Sequence, residues 1–210
     1  MFSGCKSLTS APELPATTLA LGCYSSMFSG CKSLTSAPTL SATELAIYCY
    51  TGMFYGCTSL TSAPKLSATT LVEGCYEGMF IGCSNLQEAP ELPATTLEKS
   101  CYREMFSRCT SLKSAPTLSA TTLAESCYSG MFFDCKNLKS VKMLAPSHNK
   151  MSDYFTDWLT DAGTSITTGR TLILKDQTAY DALKTNNLLP ANYWQKGKCT
   201  VKAADGTEIK

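Results

Sequence analysis

The 210-residue chain has a single histidine, His148, no Cys-x-x-Cys, and no apolar run approaching the roughly 18 residues that a membrane-spanning helix needs. Each absence removes a class of function. With one imidazole in the chain the usual general base of nucleophilic catalysis is all but missing. A zinc site of converging Cys and His ligands has no cysteine cluster near His148 to draw on. No G-x-G-x-x-G or phosphate-binding loop occurs. Charge excess is lacking too: 18 Lys and Arg face 17 Asp and Glu, a net +1, so no global field favours nucleic acid or an anionic membrane surface. The N-terminus carries no basic stretch followed by an apolar run, the mark of a secretory signal. What is present is a 44% hydrophobic content, enough for a substantial core.

The hydrophobic residues are periodic. M-F-x-G-C begins at Met1, Met27, Met53 and Met79, and recurs as M-F-S-R-C at Met105 and M-F-F-D-C at Met131, always 26 residues apart. A full unit reads M-F-x-G-C-x-S-L-x-S-A-P-x-L-[PS]-A-T-T-L-x-x-x-C-Y-x-x. A unit this short cannot bury its apolar face alone, so consecutive units must stack into an array. Within a unit, Leu8, Ala11 and Leu14 precede a turn-prone Pro-Ala-Thr-Thr and read as a brief strand. From Leu19 the spacing Leu19, Cys23, Met27, Cys31 predicts a helical stripe. Thr70 with Glu73 and Thr122 with Glu125 have capping-box spacing at its start. The proline column Pro12, Pro38, Pro64, Pro90, Pro116 cannot donate to a ladder, so the sheet is expected to be narrow, with two or three hydrogen-bonded residues per strand.

These motifs, L-x-S-A-P-x-L, A-T-T-L and C-Y-x-x-M-F-x-G-C-x-S-L over residues 1 to 146, resemble the BspA-like, or Treponema-type, leucine-rich repeat of bacterial surface proteins, in a unit a few residues longer than the commonest form. The resemblance implies an α/β solenoid: a right-handed leucine-rich-repeat superhelix with a parallel sheet on one side and helical segments on the other. It also implies export to the cell surface and adhesion to ligands of host or neighbouring cells. Met1 occupies the same column as Met27 and Met53, so the chain is expected to start in mid-solenoid, with an export signal and further repeats upstream.

After Leu138 the pattern decays, Val141 standing for the repeated Ala and Lys142 for the repeated Pro. Residues 147–210 are expected to form a C-terminal cap on a solenoid of residues 1–146. Its predicted parts are an amphipathic helix carrying Met151, Tyr154, Phe155, Trp158 and Leu159 and stopped by Gly163, a strand at Thr171–Lys175, a short helix at Ala179–Leu183, and a hairpin turning at Asp205-Gly206. Trp158 and Trp194 read as cap core in preference to sugar-stacking platforms.

Twelve cysteines are the most conspicuous reactive groups. Eleven follow the repeat with alternating gaps of 18 and 8 residues. On a helix Cys23 and Cys31 stand about 12 Å apart and equivalents on neighbouring helices about 8–10 Å apart, beyond the ~7 Å a disulfide spans. Buried free thiols are therefore expected; an irregular segment with ~5 Å coil spacing would permit bridging. Ser147 and Lys150 have Ser-x-x-Lys spacing without the partner motifs that make it informative, and no carboxylate pair repeats. The reading is a non-enzymatic recognition module without catalytic residue, metal or cofactor. The variable column Glu13, Thr39, Lys65, Glu91, Thr117 is the expected outward face of the sheet and ligand surface. The expected partner is a protein or glycan, with no nucleic acid and no membrane insertion by this segment. A second variable column, Ser3, Ser29, Tyr55, Ile81, Ser107, Phe133, falls on the other side. The alternative is a structural spacer that presents another domain of a larger surface protein. A glycan hydrolase would need an acid pair on one face.

Overall fold

The computed structural model describes residues 1–210, and a hydrogen-bond ladder joins each 26-residue coil to the next. In the first coil Gly22, Tyr24, Ser26, Phe28 and Gly30 donate their N–H groups to the carbonyls of Ile47, Cys49, Thr51, Met53 and Tyr55, at 2.7–3.0 Å. The residues between them, Cys23, Ser25, Met27, Ser29 and Cys31, donate to the carbonyl three positions back in their own coil, at 3.0–3.2 Å. Later coils repeat this alternation.

The helix predicted from Leu19 is thereby corrected. An α-helix commits each interior N–H to the carbonyl four residues back, whereas here half the donors leave for the neighbouring coil. The backbone enters positive φ at every fourth residue, as at Gly22 (59°), Ser26 (53°) and Gly30 (71°), which a helix does not tolerate. The side chains obey the same count: Cys75, Tyr76, Met79, Phe80 and Cys83 are all buried. In a 3.6-residue helix such a stripe would rotate by about 40° every four residues, but in a chain of four-residue turns it stays in line. Nor do the capping-box residues cap anything. Glu73 accepts the Tyr48 hydroxyl at 3.0 Å, and Glu125 faces Lys99 at 3.9 Å.

Because the ladder runs on this side as well as through the sheet, the coils lie closer than packed helices would. Phe2, Phe28, Phe54, Phe80, Phe106 and Phe132 form one ring stack with centroids 5.6–5.8 Å apart. Tyr24, Tyr50, Tyr76, Tyr102 and Tyr128 form a second at 5.8–6.2 Å. The expected 8–10 Å between equivalent cysteines fails with the helix. The twelve cysteines are free thiols. The thiols of Cys31, Cys57, Cys83, Cys109 and Cys135 donate to the carbonyls of Phe2, Phe28, Phe54, Phe80 and Phe106, at 3.0–3.1 Å. Those carbonyls also take the N–H of the cysteine three residues on in their own coil. One continuous core of 56 buried residues runs from Leu14 to Ile209.

The sheet is at first interrupted, its few bonded residues separated along each strand and not consecutive. Ser10, Ser36, Ser62, Glu88 and Ser114 join by isolated parallel bridges, with further isolated ones at Leu14 with Leu40, Thr18 with Glu44 and Thr96 with Thr122, since the proline two residues past the first bridge has no donor. Regular strands begin at β1 (Ser114–Leu118), followed by β2 (Ser140–Met143), β3 (Thr171–Leu174) and β4 (Thr200–Ala203), all parallel in the order β1-β2-β3-β4. The register shifts between Ser114 and Thr117, so Lys142 pairs with Thr117 and not with the proline column. Lys142 is thus no proline replacement: the strand is one residue shorter, and β2 and β3 then pair at all four positions without a break.

The tail carries the ladder onward. Helix α1 (Met151–Phe155) is a single turn, shorter than predicted, although Met151, Tyr154, Phe155, Trp158 and Leu159 are all buried as the stripe requires. Asp157 and Asp161 then return to positive φ, and the Trp158 and Thr160 carbonyls accept from Phe132 and Asp134 at 2.9 Å. Gly163 (φ 71°) closes this coil against the Leu138 carbonyl, 2.8 Å from where a Cβ would stand. Helix α2 (Gln177–Thr185) is longer than expected and begins at Asp176, whose carboxylate accepts the Ala179 N–H at 2.8 Å. The hairpin turns at Asp205-Gly206 and returns Glu208 antiparallel to Lys202, covering the β4 edge. Trp158 and Trp194 are fully buried and donate to the Leu188 and Ala162 carbonyls, at 2.8 and 2.9 Å, so neither offers a face to a sugar. Arg170 is also buried. Its guanidinium donates to the carbonyls of Tyr193 (3.0 Å), Gly163 (3.1 Å), Lys198 (3.3 Å) and Ile166, and stands over the Tyr193 ring.

Candidate binding surface

Leu14, Leu40, Leu66, Leu92 and Leu118 point into the core, so the preceding residues of the strands, with their period of two, point out. Glu13, Thr39, Lys65, Glu91 and Thr117 are accordingly all exposed. Glu13 and Thr39 share a shallow hollow walled by Pro12, Pro15 and Pro38. Glu91 and Thr117 share another, walled by Pro90, Pro93 and Pro116, and Lys65 lines neither. The ladder extends this column through Lys142, Ile173 and Lys202. Those three were missed because β2 has lost a residue and the later coils are longer than 26. The surface is polar and mixed in sign; side-chain hydrogen bonds beside it, such as Thr35 and Thr61 to the carbonyls of Thr9 and Thr35, tie one coil to the last.

The opposite face has more relief. Tyr55, Ile81, Ser107 and Phe133 follow one another in a single column, one per coil. Tyr55 is 47% exposed, Ile81 and Phe133 are half-buried and Ser107 is only 5% exposed. The small serine between large neighbours leaves a groove of about 460 Å³. Arg103, Glu104, Arg108 and Asp157 also line it. Arg103 is held by Glu77 at 3.2 Å and Glu104 at 3.3 Å. Burial raises the Glu77 carboxyl above its ordinary range, against the pull of Arg103. Glu104 reaches across Gly130, where a Cβ would stand 2.8 Å from its Cγ. Arg108 (φ 60°) occupies a column that is glycine at Gly4, Gly30, Gly56 and Gly82. The substitution Gly to Arg in M-F-S-R-C was the sequence signal for this groove.

The floor is fixed by backbone. Gly82 donates to Ser107 at 2.8 Å, Arg108 to Phe133 at 2.7 Å and Gly130 to Thr156 at 2.8 Å. Elsewhere, His148 Nδ1 accepts the Lys150 N–H at 3.2 Å and faces the Tyr154 hydroxyl at 3.3 Å; Ser147 takes no part. No group of three or more His, Cys, Asp or Glu side chains converges, and no helix is long and apolar enough to cross a membrane.

Residues 24–158 match, in six copies, the family model described as the BspA type Leucine rich repeat region. Among curated proteins and solved structures, nothing matches the chain.

Proposed function

Because the chain belongs to the BspA-type leucine-rich-repeat family, whose repeats form solenoid-type, generally non-catalytic scaffolds for protein binding, we propose that it is an adhesion module of a bacterial cell surface. Its partner is a protein or glycan of a host or neighbouring cell, engaged through the outward face of the parallel sheet. The carrying observation is the exposed column Glu13, Thr39, Lys65, Glu91, Thr117, continued by Lys142 and Lys202 on a ladder that fixes its spacing. A rigid, extended, polar array suits a macromolecule better than a small ligand, which needs a concave apolar pocket. The coil is taken as right-handed, since a strand, crossover and parallel strand almost always turn that way. Residues 1–146 are taken as the solenoid and 147–210 as its cap. Family members are typically surface-associated in bacteria, which supports the location.

The test is capture of the purified chain by immobilised extracellular-matrix proteins, repeated with the triple variant Glu13→Lys, Lys65→Glu, Glu91→Lys. Binding by the parent and its loss in a folded variant is the expected result. Silence of the parent on matrix proteins, or a variant that binds as well, would leave the spacer reading in its place.

A further inference from the structure

The groove on the turn side is a second recognition site. We propose that it takes a neutral saccharide, one sugar ring stacked on Phe133 with its hydroxyls shared between Arg108 and Asp157. The inference rests on the reading above only in treating the array as a binding scaffold; the face and the ligand class differ.

Three observations carry it. The first is shape. Ile81 and Phe133 are two coils apart, about 10 Å at the usual strand spacing, and the near-buried Ser107 between them leaves the ~460 Å³ groove, room for one or two sugar rings. Phe133 is half-buried and Tyr55 keeps 47% of its surface in solvent, so two aromatic groups border a polar floor. The apolar C–H face of a pyranose is the complement of such a ring.

The second is the hydrogen-bonding capacity left unspent. Arg103 is satisfied by Glu77 and Glu104, but Arg108 forms no side-chain hydrogen bond and no ion pair, leaving five N–H donors free. Asp157 accepts only the Thr160 hydroxyl, at 3.1 Å through Oδ1, so its other oxygen is open. A fan of donors opposite a carboxylate acceptor matches vicinal hydroxyls, each of which both donates and accepts. The groove holds two arginines and two carboxylates, and this balance favours a neutral sugar over an anionic one.

The third is the column pattern. Arg108 and Glu104 hold positive φ, at 60° and 54°, in columns that are glycine in most other coils, Asp134 and Ser26 being the exceptions. Both line the groove, on a floor bonded from coil to coil. The chain supplies its own controls: the Arg108 column is glycine in four other coils and the Phe133 column is serine in three, so Arg108→Gly and Phe133→Ser restore residues the scaffold already accommodates.

The experiment is saturation-transfer NMR on the full chain with N-acetyllactosamine, diacetylchitobiose, maltose and, as the anionic comparison, N-acetylneuraminic acid. Transfer to at least one neutral sugar is expected, weakened about 10-fold or more by Arg108→Gly, abolished by Phe133→Ser and unchanged by the sheet-face variant Lys65→Ala. Arg108→Gly should also melt no lower than the parent, separating lost binding from lost fold. No transfer to any neutral sugar, transfer to the anionic sugar alone, or transfer indifferent to both groove variants would overturn the proposal. Sheet-face binding to matrix proteins is read in a different assay with different variants, so either proposal can fail alone.

Discussion

Raising the pH should unfold this protein well before it hydrolyses or aggregates for other reasons, because its core is built partly from acids. Cys75, Cys83, Cys101, Cys109, Cys127 and Cys135 are fully buried. Burial pushes the thiols of Cys75 and Cys127 up to about 12 and holds the other four well above the ordinary value of 9.0. An unfolded chain releases these protons near pH 9, whereas the folded chain keeps them. Between the two values the unfolded state binds fewer protons, so stability falls as pH rises. At pH 10 each thiol removes about 1.4 kcal/mol, and six together about 8 kcal/mol, on the order of a domain's whole stability. Tyr76, Tyr102 and Tyr128, whose hydroxyls burial likewise holds above 10, steepen the fall above that pH. The assay is urea unfolding by circular dichroism in reductant at a series of pH values from about 7 to 10.5, with thiolate ultraviolet absorbance read in parallel. Stability should be flat up to about pH 8.5 and then collapse, with thiolate appearing together with loss of structure. Thiolate titrating near pH 9 in a chain whose urea midpoint has not moved would refute the reasoning, since the thiols would then ionise inside the fold at no cost.

Thiol labelling at neutral pH should modify the exposed Cys5 and Cys23 at once and Cys199, which is half-buried, more slowly. The nine buried cysteines should wait for denaturant, and fewer than twelve titratable thiols in unfolded, unreduced protein would show that neighbouring coils are cross-linked. Phe80→Ala removes a ring stacked on both sides, 5.6 Å from Phe54 and from Phe106, and should cost about 3–5 kcal/mol by urea midpoint. Phe2→Ala, a half-buried ring with one neighbour, should cost roughly 1–2 kcal/mol. Arg170→Met leaves the Tyr193, Ile166 and Lys198 carbonyls without their donor and Gly163 with only the Ile166 N–H and should lower stability by about 3–5 kcal/mol, a drop in melting temperature that Arg170→Lys, with one compact ammonium in place of the guanidinium fork, restores only in part.

The array was legible because its signal is redundant: Met-Phe-x-Gly-Cys recurs at fixed spacing, and any coil could have been misread without losing the period. The helix was misread because Leu19, Cys23, Met27 and Cys31 fit a helical stripe over about three turns. The correcting signal was present in the strict count of four shared by Cys23, Met27 and Cys31 and, on the backbone, by Gly22, Ser26 and Gly30. A 3.6-residue helix favours a mixture of threes and fours, and glycine every fourth residue marks a backbone that needs positive φ. The loss of one residue between Ser114 and Met143 was invisible, since a proline-to-lysine change and a shortened strand look alike until the pairing is known. The Glu13 to Thr117 column was readable from strand alternation. For the groove, the Gly-to-Arg change at Arg108 marked the coil but not the shape, which depends on how the small and large members of the Tyr55, Ile81, Ser107, Phe133 column stack and on Asp157, beyond the last regular repeat.

Energetics separate the residues that hold the array together from those that do not. A non-glycine residue with positive φ costs about 1–2 kcal/mol, and in one coil contacts within the fold offset it. Tyr48 (φ 56°) lays its ring over Gly74, where a Cβ would stand 2.2 Å away, and donates to Glu73. Glu104 and Arg108, four residues apart in one coil, recover less. The exposed pair of Glu104 with Arg103 returns at most about 1 kcal/mol, and the Arg108 side chain makes no bond at all. Glycine at both positions, as in Gly52 with Gly56 and Gly78 with Gly82, gives the same backbone without the strain. Two residues that the fold would do better without, four positions apart on the rim of the turn-side groove, are therefore explained by what they face outward and not by the coils they interrupt.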